Sequence, residues 1–281
     1  MNTKYMYMNV HTLGLAQFIR LAFGVAAVAF AGAVNAEDRT AWMLQTNLLE
    51  RTTSRAVVGL PNVLLLGDSI SMGYTPFVKR KLAGFANVSR PKCNCAATQF
   101  YLREKNGMKD WVGTNRWDVI VMNAGIWDIC YMKGDVLMTN HFWRPDAELE
   151  KLPPLRRGTE IRRRGFRVRT PILEYADNLR KILAYLKSTG ATVIFALTTP
   201  CPAYQYDDRC GLFRVYNEVA EGVCRDLKVS TADLYSVGER NYDNQPDKAH
   251  YNDAGNNDLA SAVAEAVRTA IDKRAVNAEK R

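Results

Sequence analysis

A chain of 281 residues with 47% hydrophobic and 24% charged residues carries enough apolar material for one large core or two small ones, which excludes a disordered chain. Its formal net charge of +9 favours anionic partners such as acidic glycans, phospholipid surfaces or nucleic acid. Charge governs association and leaves the chemistry open.

At the N-terminus, Lys4 and Arg20 precede an apolar run over residues 21–34 that ends in Val34-Asn35-Ala36. A basic start, an apolar stretch and a small-residue step predict a secretory signal over residues 1–36, cleaved after Ala36. The run is shorter than the roughly 20 apolar residues that span a bilayer, which favours a cleaved signal over the alternative of an uncleaved anchor. The expected mature protein is secreted or periplasmic, and residues 37–281 read as a single domain. The segment removed holds Lys4 and Arg20 and no acidic residue, so the remainder stays basic. Export makes nucleic acid the weakest of the anionic partners, and none is expected. All six cysteines (Cys93, Cys95, Cys130, Cys201, Cys210, Cys224) lie beyond the cut, in a compartment where disulfides persist. Of the pairings, Cys201 with Cys210 is the favoured local one, closing a loop rich in Pro, Tyr and Asp; Cys93 and Cys95 are too close to bridge each other comfortably. A zinc site is disfavoured, since there is no C-x-x-C and only His141 and His250 remain after export.

A helical lead-in is expected over residues 40–54. Continuous apolar runs at Asn62–Leu66, Val119–Met122 and 192–197 predict strands buried on both faces. Helical periodicity marks residues 74–82, 172–186, 213–227 and 254–271. Strands alternating with helices imply an α/β fold with a parallel sheet covered on both sides. Residues 132–170 break the rhythm: Trp143, Pro145, Pro153 and Pro154 accompany Arg156, Arg157, Arg162, Arg163, Arg164, Arg167 and Arg169. This basic insertion reads either as a solvated loop or as an arm that engages an anionic substrate or membrane surface.

Chemistry concentrates at two places. Leu66-Gly67-Asp68-Ser69-Ile70 closes the first core strand, where a parallel sheet presents residues to ligands and a following helix directs N–H groups at developing negative charge. A serine hydroxyl needs a base to take its proton, and that base needs its other nitrogen held by an acceptor. Asp247-Lys248-Ala249-His250, just before the last helix, supplies both. His141 lies in the irregular insertion without a carboxylate at useful spacing and reads as a surface or packing residue.

Gly67-Asp68-Ser69 near the mature N-terminus and Asp247-x-x-His250 near the C-terminus resemble the first and last blocks of the SGNH/GDSL hydrolases. Thr198-Thr199-Pro200, Tyr216-Asn217 and His250-Tyr251-Asn252-Asp253-Ala254-Gly255 have the same family look. The absence of G-x-S-x-G around Ser69 argues against the other large serine hydrolase class. The resemblance implies a flavodoxin-like three-layer α/β/α sandwich of about five parallel strands. It also implies an ester-hydrolysing serine enzyme with Ser69 as nucleophile, His250 as base, Asp247 as its orienter, Asp68 stabilising the turn, and no metal or organic cofactor.

The middle blocks depart from that family. Where it has an oxyanion-donating glycine and the asparagine of G-x-N-D, this chain has Ala96 within Asn94-Cys95-Ala96-Ala97-Thr98 and Trp127 within Gly125-Ile126-Trp127-Asp128. The expected oxyanion donors are the N–H groups of Ser69 and Ala96, with Asn123 as a substitute for the missing amide. An indole is too bulky to reach an asparagine's position; Trp127 and Trp143 fit either core packing or stacking on sugar faces. The expected substrate is a small acyl ester, chiefly acetyl, on a neutral or anionic carbohydrate or cell-wall polymer. A lipid acyl ester, O-acetyl transfer through the same residues, and a catalytically inactive glycan-binding module are the alternatives.

Overall fold

The structure is a computed structural model that describes residues 49–50, 56–134, 136–137, 153–201, 209–247 and 249–279. The expected signal over residues 1–36, His141 and Trp143 lie outside the described residues, as does the side chain of Cys210, the expected partner of Cys201. What is described falls within one compact unit, Met43–Arg281.

Nine strands occur among the described residues: β1 (Leu49–Glu50), β2 (Asn62–Leu66), β3 (Asn87–Pro91), β4 (Val119–Met122), β5 (Tyr131–Lys133), β6 (Val136–Leu137), β7 (Arg167–Val168), β8 (Thr192–Ala196) and β9 (Ser230–Ala232). The principal sheet has the order β1-β3-β2-β4-β8-β9. Its last five strands are mutually parallel, and β1 pairs antiparallel to β3. The helices are α1 (Ser69–Lys81), α2 (Thr98–Tyr101), α3 (Met108–Val112), α4 (Pro154–Arg163), α5 (Ile172–Ser188), α6 (Arg209–Asp226), α7 (Leu234–Glu239) and α8 (Asp253–Glu279).

Strand alternation sorts the core into two layers. Leu64, Leu66, Ile120, Met122, Val193 and Phe195 face one side, where α2, α3, α5 and α6 contribute Tyr101, Trp111, Leu179, Ile182, Leu183, Phe213 and Val223. Val63, Leu65, Val119, Val121, Ile194 and Ala196 face the other, against Ile70, Tyr74 and Val78 of α1 and Leu259, Val263 and Val267 of α8. Each of the Val, Leu, Ile, Met and Phe side chains among them contributes about 1.5–3 kcal/mol by leaving water. Because both faces are covered, β2, β4 and β8 are apolar throughout except for the opening residues Asn62 and Thr192.

Three sequence expectations need correction. Within the expected lead-in helix, Leu49–Glu50 is an extended edge strand paired with β3. Residues 132–170 are in part regular: α4 starts on Pro154, a helix-starting position where the missing N–H costs nothing. The segment also builds a small sheet of order β6-β5-β7. Finally, the first helix begins at Ser69, ahead of residue 74, because the Asp68 carboxylate caps it by accepting the Ile70 N–H at 2.9 Å.

No disulfide joins Cys93, Cys95, Cys130, Cys201 and Cys224 to one another. Among the described residues no helix is long and apolar enough to cross a membrane.

Candidate active site

With β2 as the first strand of the wound sheet, β3 lies on one side of it and β4 on the other. The chain therefore reverses direction at β2, and the crevice outside the carboxyl ends of such strands is where parallel sheets bind ligands. Gly67 and Ser69 leave β2 at that point. The register Leu66↔Met122 sets Gly67 beside Asn123, and a Cβ on Gly67 would come within 2.8 Å of the Ser71 side chain and 3.4 Å of the Asn123 Cβ. Only glycine lets the exit turn this tightly.

Ser69 is the first residue of α1, so its own N–H has no intrahelical acceptor and points out of the helix start. Across 181 positions of sequence, the Ser69 hydroxyl meets His250 with Oγ 2.8 Å from Nε2. On its other side His250 Nδ1 lies 2.8 Å from Asp247 Oδ2. The acceptor at Nδ1 fixes the tautomer with its proton there, leaving Nε2 to accept from the serine. Asp247 Oδ1 accepts the N–H of His250 at 2.7 Å and of Ala249 at 3.0 Å. Partial burial pushes the Asp247 carboxyl up, but hydrogen bonds from the His250 ring and from these two N–H groups outweigh it and hold it below its ordinary value. The imidazole is thus oriented by a carboxylate that stays ionised.

The turn that carries this pair is fastened by a residue the sequence did not single out. Gln245, 6% exposed, donates from Nε2 to the carbonyls of Pro200 at 3.3 Å and Ala249 at 3.1 Å, tying the turn to the loop after β8. That loop is itself clamped to α6: Asn217 accepts the Thr198 N–H and donates to the Thr198 carbonyl, both at 2.9 Å.

The oxyanion side is arranged differently from the sequence expectation. Ala96 has φ +51, a left-handed conformation that costs a residue with a Cβ roughly 1 kcal/mol or more. Its N–H donates at 2.9 Å to the Asn94 Oδ1, so that donor is already occupied. Asn123 is buried beside Gly67, and its Nδ2 donates to the Ala196 carbonyl at 2.8 Å. Its second amide proton remains for another acceptor. Gly125, at φ +155, lets the loop pass Thr198, whose Cβ would sit 2.9 Å from any added Cβ. Trp127 follows, half-buried against the core.

Among the described residues, a fully buried guanidinium unites these loops. Arg90, 2% exposed, donates to the carbonyls of Pro91 (2.9 Å), Cys93 (3.1 Å) and Gly67 (3.4 Å) and to the Ser71 hydroxyl (3.1 Å). It therefore joins the turn bearing Ser69 to the loop bearing Ala96. Nothing in the spacing announced it: it stands in a short strand with Asn87, Ser89 and Pro91 that lacks a continuous apolar run. Replacing it by methionine leaves these acceptors buried without donors, at about 1–3 kcal/mol each. We expect Arg90→Met to destabilise the fold by about 3–5 kcal/mol in urea titration, the range for breaking a buried charge network. A loss below about 1 kcal/mol would mean that water replaces the guanidinium.

Asp128, fully buried, anchors the loop after β4 by accepting the Thr98 hydroxyl at 2.6 Å and the Thr98 N–H at 3.1 Å. Burial pushes its carboxyl up to about 6, against hydrogen bonds from Thr98 and the charge of Arg169. A raised folded-state value favours the protonated form, so this group's contribution is complete below about pH 4 and is lost as pH rises through 6. Relative to Asp128→Asn, which stays neutral, the wild type should lose up to about 3 kcal/mol between pH 4 and pH 7. Thermal melts of both proteins across that range measure it; a pH-independent difference contradicts it.

Among the described residues no three His, Cys, Asp or Glu side chains cluster as metal ligands. No protein-family model matches the chain, and no curated protein matches it. Solved structures do. The acetyl xylan esterase AlAXEase superposes with a TM-score of 0.53 at 15% identity, covering 73% of this chain and 99% of its own. The lipase/acylhydrolase from Enterococcus faecalis gives 0.53 at 15%, over 75% and 96%. Axe2, an acetylxylan esterase from Geobacillus stearothermophilus, gives 0.52 at 15%, over 73% and 93%. At such identities the likeness speaks for the fold. The chain has the five-stranded parallel α/β architecture of these esterases and acylhydrolases, the fold that its SGNH/GDSL resemblance implies.

Proposed function

We propose that this protein is an exported serine esterase that removes small acyl groups, chiefly acetyl, from a carbohydrate or cell-wall polymer. The observation that carries this reading is the continuous Ser69–His250–Asp247 chain of hydrogen bonds, 2.8 Å at each side-chain link, at the switch point of the sheet. Ser69 Oγ attacks the ester carbonyl while its proton passes to His250 Nε2. The carbonyl π electrons move onto oxygen, where the Ser69 N–H meets them. Collapse of the tetrahedral intermediate expels the alcohol, which takes the proton from His250. Water, deprotonated by the same imidazole, then attacks the acyl-serine and releases the acid and the serine. The fold shared with acetyl xylan esterases supports acetyl on a glycan as the substrate. The basic residues of α4 supply a surface for an acidic polymer or an anionic membrane.

The test is turnover of an acetylated glycan by the purified protein, with and without an acceptor sugar. Free acetate supports hydrolysis, and acetylated acceptor would show transfer through the same residues. One observation favours a second reading, a fold-retaining glycan-binding module: the Ala96 N–H is taken by Asn94, and Trp127 stands where an amide donor is needed. Absence of fluorophosphonate labelling of the folded protein would decide for it.

A further inference from the structure

Two cations share one aromatic ring beside the candidate site. The guanidinium carbon of Arg103 lies 3.8 Å from the centre of the Phe100 ring, and that of Arg169 lies 5.6 Å from it. Arg169 also sits 5.4 Å from the Trp127 ring centre. The attraction of a guanidinium to an aromatic face holds both in place without any acid. Neither makes an ion pair among the described residues. Arg169 Nη1 is buried without a hydrogen-bond partner, and its Nη2 reaches only the Met132 sulfur at 3.5 Å. The charges feel each other: partial burial, then Arg169, lowers the affinity of Arg103 for its proton. The carboxylate whose field reaches Arg169 is Asp128, and both its oxygens already serve Thr98. Elsewhere some exposed arginines pair with acids, as Arg163 does with Glu160 and Arg214 with Glu239.

Their place in the fold is the second observation. Phe100 and Arg103 follow the Ala96 loop at the end of β3. Trp127 follows Asn123 at the end of β4, and Asn123 adjoins Gly67. The segments bearing Phe100 and Trp127 therefore leave the same end of the sheet as Ser69, and Arg169 joins them through the Phe100 and Trp127 rings. Holding two like charges together with an unpartnered buried donor is unfavourable unless an anion completes them.

We propose that Arg103 and Arg169 form a subsite for a carboxylate on the substrate, which makes acidic sugar polymers the preferred class. Arginine suits this task because its planar fork matches a carboxylate at two points. The esterase reading supplies the reaction on such a polymer, so this inference rests on it for catalysis, but the binding can be measured without turnover.

The experiment uses Ser69→Ala protein and isothermal titration with tetragalacturonate and, as a neutral counterpart, xylotetraose. The acidic oligomer is expected to bind at least tenfold more tightly. That preference should disappear in Arg103→Gln and in Arg169→Gln and persist in the exposed control Arg116→Gln. Arg103→Lys, which keeps charge but loses the fork, should retain part of it; being half-exposed, Arg103 can be changed with little risk to folding. Equal affinity for the two oligomers, or an equal loss in Arg116→Gln, overturns the subsite. Turnover of p-nitrophenyl acetate by the wild type tests the esterase reading separately, so either idea can fail without the other.

Discussion

Ser69→Ala and His250→Ala should each reduce kcat for p-nitrophenyl acetate by about 10⁴–10⁶-fold, because nucleophile and base act as one unit and losing either removes the whole covalent pathway. The geometry makes the assignment of the base narrow. His250 touches the serine directly at 2.8 Å and is oriented by Asp247, whereas His141 has no carboxylate at useful spacing in the sequence. His141→Ala should therefore retain nearly full activity. Asp247→Asn should fall between these extremes, since the imidazole would lose the acceptor that fixes its tautomer. Fluorophosphonate labelling gives an independent readout: wild type and His141→Ala react, Ser69→Ala does not. Equal losses in His141→Ala and His250→Ala, with both proteins folded, would remove His250 from its role.

These three residues could be read from the chain because each belongs to a short motif with a local physical cause. A glycine and a capping aspartate precede the serine, and a carboxylate stands three residues before the histidine. The central strands were equally plain, since burial on both faces leaves β2, β4 and β8 apolar apart from the opening residues Asn62 and Thr192. What escaped was written in another code. β3 holds Ser89, Arg90 and Pro91 and looks like a loop; Arg90 is buried there because two local carbonyls, of Pro91 and Cys93, and two distant acceptors, Gly67 and Ser71, converge on it. β9 is a three-residue edge strand whose first two residues are exposed, so it carries no apolar run. Gln245 works through carbonyls that tertiary folding brings near, which no spacing encodes. Asn94 was more accessible: an asparagine side chain that accepts the N–H two residues on is a common turn device. For α4 the starting Pro154 and the Gly165 just past its end, at φ +89, were available signals that the arginine cluster obscured.

The departures from the family pattern lead to the remaining large effect. In the structure the Ser69 N–H stands without the two donors that the SGNH/GDSL resemblance implies beside it: Ala96 donates to Asn94, and Trp127 occupies the position where that resemblance implies an asparagine. One oxyanion donor is worth about 10²–10³ in kcat. Trp127→Asn should therefore raise kcat for p-nitrophenyl acetate by about 10²-fold with KM little changed, since the new amide acts on the transition state more than on the bound ester. Emptying half-buried indole volume will cost roughly 2–3 kcal/mol of stability, less than the loss at a fully buried site. Asn94→Ala should add a smaller gain, about five- to tenfold, because rotating the Asn94 side chain away from Ala96 costs the wild type about one hydrogen bond, near 1 kcal/mol. The double variant should gain the product of the two if the donors act independently. Initial rates on the four proteins test this. A folded Trp127→Asn that is no faster would mean that Asn123, through its second amide proton, already serves the oxyanion. A fall in Asn94→Ala would mean that the Asn94 amide is itself a donor and that Ala96 serves only to hold it there.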